Sequence, residues 1–428
     1  MLLIFHTEMR AKYVSFYLII DEYDNFANNV LVEHSPETYQ QITHSGGFLR
    51  NFFTMIKGLT DSRGIDRLFI SGVTPMVMAD ITSGFNIGDN ISLWPDFGSM
   101  AGFNRNELQE IIDYYIPGQF ETLFPLLSEW YNNYCFDANF HENNIFNSTS
   151  ILYFLKEYLS LKRIPSNLID ENLRTDYGKL RFLIIQDRKL NGNFNILSEI
   201  AETRQTVSTL VRSFALDELI SDEKFKSLLF YLGFLTIEKI DFIENITFKI
   251  PNKLINNLIW DYIRKSISEF YSLDLKVDFL NNCFSQIALA GIWRPLFQYI
   301  IDKFYEAVSI RDFVFHEEGL ITFLLAWLNL TNLYDVISEK EKNKGYADIC
   351  LEPDRRFTQY VKFDYNIELK YIKAAEIETP EKEEVAINQA VQTATAQLSQ
   401  YTTNDRFKTT KIIIVASAKK LLYIDCLE

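Results

Sequence analysis

Two stretches near the C-terminus leave little freedom in how the chain can fold around them. Gly345-Tyr346-Ala347-Asp348-Ile349-Cys350-Leu351 and Tyr365-Asn366-Ile367-Glu368-Leu369-Lys370-Tyr371 read as apolar strands, yet each carries charge inside the run. Side chains alternate along a strand, so Glu368 and Lys370 share one face while Ile367 and Leu369 take the other. Asp348 opposes Ile349 and Leu351 in the same way. Pairing the two strands to bury the apolar face brings the two acids and the lysine together. A carboxylate pair of this kind can hold a divalent cation through oxygen ligands. A neighbouring lysine can position or deprotonate water and steady charge developing on a phosphate. The chemistry this points to is metal-assisted hydrolysis of a phosphodiester.

The flanking segments fit that chemistry. Glu317 has Leu320, Ile321, Leu324 and Leu328 at i+3, i+4, i+7 and i+11, so it projects from the apolar face of a helix over 317–330, and a buried acid needs a reason. Glu318, about 100° round the same helix, is the alternative. Strands are expected at about 334–338, 346–351 and 364–371, then a charged linker at 374–384, a helix at 385–401 and a strand at 411–416. On that later helix Gln397 and Tyr401 are four apart and share a face, where Gln397 could hold a nucleotide or the attacking water. Arg406, Lys408, Lys411, Lys419 and Lys420 form a thin basic stretch that could meet phosphates or simply be solvated.

The order Glu, Gly-Tyr-Ala-Asp, Ile-Glu-Leu-Lys and Gln-Leu-Ser-Gln-Tyr resembles the PD-(D/E)XK nuclease superfamily over roughly residues 311–420. The resemblance implies a restriction-endonuclease-like α/β fold acting on nucleic acid, with DNA as the expected partner. It implies Asp348 and Glu368 as ligands of Mg²⁺ or Mn²⁺, Lys370 as the catalytic lysine, Glu317 or Glu318 as the first-helix acid, and Gln397 with Tyr401 as a QxxxY element. A strand-end salt bridge with Glu368 is the plain alternative for Lys370.

A second pattern opens the chain. Tyr17-Leu18-Ile19-Ile20 is a short apolar run ending in Asp21-Glu22-Tyr23-Asp24, and Arg67-Leu68-Phe69-Ile70-Ser71-Gly72-Val73-Thr74-Pro75 is another, after a helical stretch at Phe48 to Lys57. Short apolar strands separated by helices read as a parallel α/β sheet. Asp21 and Glu22 have the form of a Walker B pair, an Asp for Mg²⁺ and a Glu to polarise water; an acidic helix cap after a strand is the alternative. With Ser83-Gly84-Phe85-Asn86 and the turn Phe103-Asn104-Arg105-Asn106-Glu107, residues 14 to about 112 resemble an AAA-ATPase-like domain. The resemblance implies a partial P-loop-NTPase-like sheet and a cofactor role for Asp21 and Glu22 with ATP. No GxxxxGK[ST] phosphate loop occurs in the chain, and about 17 residues precede Leu18. On this reading the domain is N-terminally shortened, and ATP hydrolysis is not expected of the chain alone.

Between these ends the pattern is mostly 3.6-periodic. Phe225 to Leu235, with Gly233 near its end, then Ile246-Thr247-Phe248-Lys249-Ile250 and a further helix, fit a winged helix at about 221–265 or equally two helices and a hairpin. The expected division is therefore a partial AAA-ATPase-like α/β domain at 1–112, a helical region at 113–310 and a nuclease-like α/β domain at 311–428. Thirty-five Phe, 23 Tyr and 5 Trp against 16 Gly and 10 Pro suit thick helical layers. The net charge of -15 argues against non-specific coating of nucleic acid, but residues 311–428 carry 15 basic and 19 acidic groups against 27 and 38 elsewhere. Most of the acidity thus lies away from the end expected to touch DNA. Four scattered cysteines without CxxC, five histidines without metal spacing, and no apolar run of membrane-spanning length point to a cytoplasmic protein. A non-catalytic scaffold, or a nucleotide-dependent switch whose ATP-binding loop comes from elsewhere, are the competing functions.

Overall fold

The computed structural model describes residues 15–427 apart from 34–35, 45, 63, 82–84, 138–143, 172–184, 187–188, 191, 216–217, 219–220, 311–316, 343–344 and 402–405. It is a mixed α/β structure in two compact units, 1–184 with 205–255, and 185–204 with 256–428.

In the first unit, β1 (Phe16–Ile20) pairs in parallel with β2 (Ile65–Ile70); two short helices, Asn25–Glu33 and Pro36–Thr43, and the longer α1 (Phe48–Asp61) intervene in sequence. Alternation sends Phe16, Leu18 and Ile20 against the buried Phe53 and Ile56 of α1, and leaves Tyr17 and Ile19 exposed. Helix α1 buries Leu49, Phe53, Ile56 and Leu59, spaced three or four apart, as an amphipathic helix on a sheet must. β2 stops at Ile70, five residues short of the expected end at Pro75, because the next residues fold around Asp24. Ser83 and Gly84 lie outside the described residues.

Helix α2 (Arg105–Tyr115) starts where the turn signal placed it. The Asn104 side chain accepts from the Asn106 and Glu107 amides, and Glu107 returns the bond to the Asn104 amide. Helices α3 (Phe120–Tyr131) and α4 (Ser148–Leu161) bury Trp130, Tyr131 and Phe154. The next helix, α5 (Gly192–Thr203), belongs to the second unit. The first unit resumes with β3 (Gln205–Ser208), α6 (Asp222–Tyr231), β4 (Thr236–Ile240) and β5 (Ile246–Lys249), whose strands form an antiparallel sheet in the order β3-β5-β4. Gly233, at φ +76°, provides the turn after α6.

The second unit holds α7 (Lys253–Tyr271) from Asn256 onward, α8 (Val277–Ala290), α9 (Arg294–Ile310), α10 (Glu317–Leu328), β6 (Tyr334–Lys342), β7 (Gly345–Pro353), β8 (Phe363–Ile372), α11 (Pro380–Gln400), β9 (Lys408–Ser417) and β10 (Leu421–Leu427). The sheet runs in numerical order from β6 to β10; β8 and β9 are parallel and the other neighbours antiparallel. β8 is the central strand and is buried on both faces. Helices α8 and α10 pack against it, and the Tyr365 hydroxyl donates to the Ile287 carbonyl of α8 at 2.8 Å. Ala394 and Leu398 of α11, with Tyr401 just beyond it, form a core with Cys350, Ile413 and Val415 on the sheet. Arg204, just past α5, ties that upstream helix to the sheet: its guanidinium donates to the Val336 carbonyl at 3.0 Å.

Two features correct the sequence expectation. Part of the stretch expected as a linker at 374–384 is helical, because Thr379 caps α11 through the Lys382 amide and Pro380 occupies its first turn. The last strand, Leu421–Leu427, was not expected; it pairs along the edge with β9. No helix among the described residues is long and apolar enough to cross a membrane.

Candidate active site

The register of β7 on β8 pairs Ile349 with Ile367, Cys350 with Asn366 and Leu351 with Tyr365. Residues opposed across a ladder point to the same face. Continued by one step, this register sets Asp348 across from Glu368. There the Leu369 amide donates to Asp348 Oδ2 at 2.7 Å, so a carboxylate takes a backbone donor of the neighbouring strand. Asp348 is half-buried, whereas Glu368 is 0% exposed.

A carboxylate in the middle of a central strand is costly unless each oxygen finds a donor. Glu368 has two. Lys370 Nζ donates to Oε2 at 2.9 Å, and the Tyr401 hydroxyl donates to Oε1 at 2.6 Å. The first contact follows from strand period, since residues two apart share a face. The second spans 33 positions and depends on α11 lying over the sheet. Burial, followed by the hydrogen bond to Glu368 and its charge, pushes the Tyr401 phenol well above its ordinary range, so it remains a donor. Tyr401 is held in turn: Lys411 Nζ donates to its backbone carbonyl at 3.3 Å.

Gln397 lies one helical turn before Tyr401. Its Oε1 is buried and has no hydrogen-bond partner, which is uncommon for a native side chain and marks a place where a donor is wanted. Cys350 and Asn366 occupy the same sheet face, joined through Sγ and Oδ1 at 3.2 Å. Glu317 and Glu318 open α10; which of them faces the site lies outside the described residues. The structure thus brings together Asp348, Glu368, Lys370 and Tyr401. It also adds Lys411, whose strand alternation with Ile413 and Val415 was the available signal. Two others of the basic stretch are engaged: Lys420 pairs with Glu383 at 2.7 Å, and Lys408 lies over the Phe363 ring at 5.8 Å.

At the N-terminal end, Asp21 accepts from the Ser71 hydroxyl and the Glu22 amide, both exposed contacts. The buried acid is instead Asp24, 1% exposed. It accepts from the Val73 amide at 3.1 Å, the Thr74 amide at 2.8 Å and the Thr74 hydroxyl at 3.0 Å. The Tyr23 hydroxyl donates to the Thr74 carbonyl. Gly72 is required by close approach, since a Cβ there would lie 2.2 Å from the Tyr23 ring. These contacts join the end of β1 to the turn after β2 and explain why both are short.

Comparison with known proteins follows the same division. Residues 315–425 match the profile of the PD-(D/E)XK nuclease superfamily, and residues 3–82 match that of a predicted AAA-ATPase. No curated protein and no solved structure matches significantly. The chain therefore carries a match to an AAA-ATPase-like domain at its N-terminal end and to a PD-(D/E)XK nuclease superfamily domain at its C-terminal end.

Proposed function

We propose that this protein is a metal-dependent nuclease that hydrolyses DNA phosphodiester bonds at the Asp348–Glu368–Lys370 centre. The observation that carries the reading is the buried Glu368 carboxylate, whose partners are a lysine ammonium and a tyrosine hydroxyl rather than backbone amides. Two carboxylates offer oxygen donors, which suit a hard cation such as Mg²⁺ or Mn²⁺. Asp348 and Glu368 would hold it, and when bound it would polarise the phosphodiester and lower the pKa of water.

The chain's own residues do the remaining work. Lys370, with 23% of its side chain exposed beside a fully buried Glu368, orients the attacking water and steadies charge on the phosphate oxygens. Tyr401 fixes the Glu368 carboxylate, and Lys411 fixes Tyr401. Glu317 or Glu318 adds an acid from α10. The helix, hairpin and helix over about 221–265 make a winged-helix-like element. As sequence segments, the ATPase-like part ends at about 112 and the nuclease-like part begins at about 310, each point inside one of the two compact units, and the buried or half-buried thiols suit a reducing cytoplasm. Asp21 and Glu22 keep a Walker B-like arrangement without an assigned role in ATP hydrolysis.

A non-catalytic scaffold is the second reading, favoured by the same Lys370–Glu368 ion pair taken as purely structural. Incubation of the purified chain with single- and double-stranded DNA and Mg²⁺ or Mn²⁺ separates the two. Cleavage is expected, and Lys370→Ala is expected to abolish it while the protein stays folded by circular dichroism. Equal cleavage by that variant would reject the assignment.

A further inference from the structure

A cleft of about 640 Å³ opens at Lys370, between the end of β8 and the first half of α11. Its size lies in the range of small-ligand sites. Lys382, Ala386, Gln389 and Thr393 recur along its wall at three- and four-residue spacing, and the same spacing continues to Gln397 and Tyr401. One helical stripe therefore leads from the cleft to the Glu368 centre.

The charge on the lining selects among parts of a nucleic acid. Lys370 and Lys382 are balanced by Glu376 and Glu381, and Lys382 is already engaged by Glu378 at 3.1 Å. A surface that tracks a phosphate backbone needs surplus cations, and this one has none. The rest of the lining includes the apolar Ile372, Val385 and Ala390. Apolar patches set among balanced charges and the polar Gln389 and Thr393 suit a neutral, flat heteroaromatic ring better than a string of phosphates. One turn beyond Thr393, the buried Gln397 Oε1 lacks a donor, and the exocyclic amines and ring N–H groups of bases are donors. In a duplex those edges are paired and the ring faces stacked, so a base must leave the helix before it can enter.

We infer that the cleft receives unpaired nucleobases adjacent to the phosphodiester at Lys370, which makes single-stranded or frayed nucleic acid the preferred substrate. The inference rests on the nuclease reading for the chemistry at Lys370, but the binding it predicts is measurable without cleavage. Fluorescence anisotropy of the full chain in Ca²⁺, with fluorescein-labelled oligodeoxynucleotides, compares a single strand with the same sequence as a blunt duplex. The single strand is expected to bind about tenfold more tightly or better, the scale of one stacked base. Ala390→Phe, which fills the cleft, is expected to remove that preference. Val385→Trp does the same from a position already 55% exposed, where a larger side chain does not endanger folding.

Equal affinity for the two forms, or unchanged single-strand affinity in both filled variants, overturns the inference. Failure of the nuclease reading looks different: the single-strand preference survives and is lost in the filled variants, but no cleavage occurs with Mn²⁺. If the nuclease reading alone is right, Lys370→Ala abolishes cleavage while Ala390→Phe cuts single strands and blunt duplexes as the parent does.

Discussion

Two buried carboxylates, one in each unit, show how the same side chain can serve opposite ends. Asp24 and Glu368 are 1% and 0% exposed, and both sit at strands that carry a run of acids or charges. Asp24 is met by the Val73 and Thr74 amides and the Thr74 hydroxyl. Backbone donors of this kind cannot move aside without unfolding the turn. Glu368 is met by a phenol held in the core and by an ammonium on a flexible stem, which can reorient when a ligand arrives. Burial alone therefore does not mark a functional acid. A mobile donor does, and that distinction can be tested.

The largest expected effect separates the two acids by activity. Glu368→Gln keeps the shape of the side chain but removes its charge, and it should lower cleavage about a hundredfold or more, the scale for loss of a group acting directly in the reaction. Asp24→Asn should leave the cleavage rate per folded molecule unchanged. A comparable loss in both variants, measured on DNA with Mn²⁺, would break the comparison.

The next effect separates them by stability. Asp24→Ala deprives two backbone amides of their acceptor in a buried turn, and it should cost about 3 kcal/mol in chemical denaturation. Gln at position 368 should cost less, because its carbonyl oxygen can still accept from Lys370 while its amide N–H donates to the Tyr401 hydroxyl oxygen. A smaller loss for Asp24→Ala than for Glu368→Gln would mean that the N-terminal lock has been misread.

How much of this was legible in the sequence depends on how local each cause is. The shared face of Glu368 and Lys370 follows from a period of two and could be read directly, as could the Asn104–Glu107 helix start. The Gln397 and Tyr401 pair was visible as helical spacing, but the bond from Tyr401 to Glu368 depends on where α11 crosses the sheet. The acids at β1 were read by motif position, which favoured Asp21 and Glu22. Burial fell on Asp24 because the chain turns back at Gly72, a contact about fifty residues away. The start of α11 had a local signal in Thr379-Pro380, obscured by the density of charge that suggested a linker. The attachment of α5 to the sheet through Arg204 has no local signal at all. Partial desolvation of that guanidinium where it meets the sheet lowers its pKa, and it lies near Asp335 and Glu352, more than 130 residues downstream.

A finer comparison concerns the donors to Glu368. Tyr401→Phe removes the 2.6 Å hydroxyl contact and keeps the ring in its core. One hydrogen bond to a charged group is lost, so the expected cost is about 1.5 kcal/mol in stability. Cleavage should fall about tenfold as the carboxylate loses its fixed orientation, since that energy is close to a factor of ten in rate. Single-turnover kinetics at saturating DNA would place the loss in the chemical step. A pure affinity loss would instead assign Tyr401 to substrate contact.

The smallest effect is expected at Ser71, and it bears on whether Asp21 matters at all. Ser71 donates to Asp21 in an exposed pair, so Ser71→Ala should change stability by no more than about 0.5 kcal/mol, as exposed substitutions generally do. If Asp21 is only a solvated strand end, that small shift is the whole consequence, and added Mg²⁺ with ATP should not alter it. A Mg²⁺-ATP-dependent rise in melting temperature that is present in the parent chain and absent in Ser71→Ala would show the reverse. It would mean that Asp21 and Ser71 act together on a nucleotide, and the contrast between a structural acid and a chemical one would then run within the first unit as well as between the two.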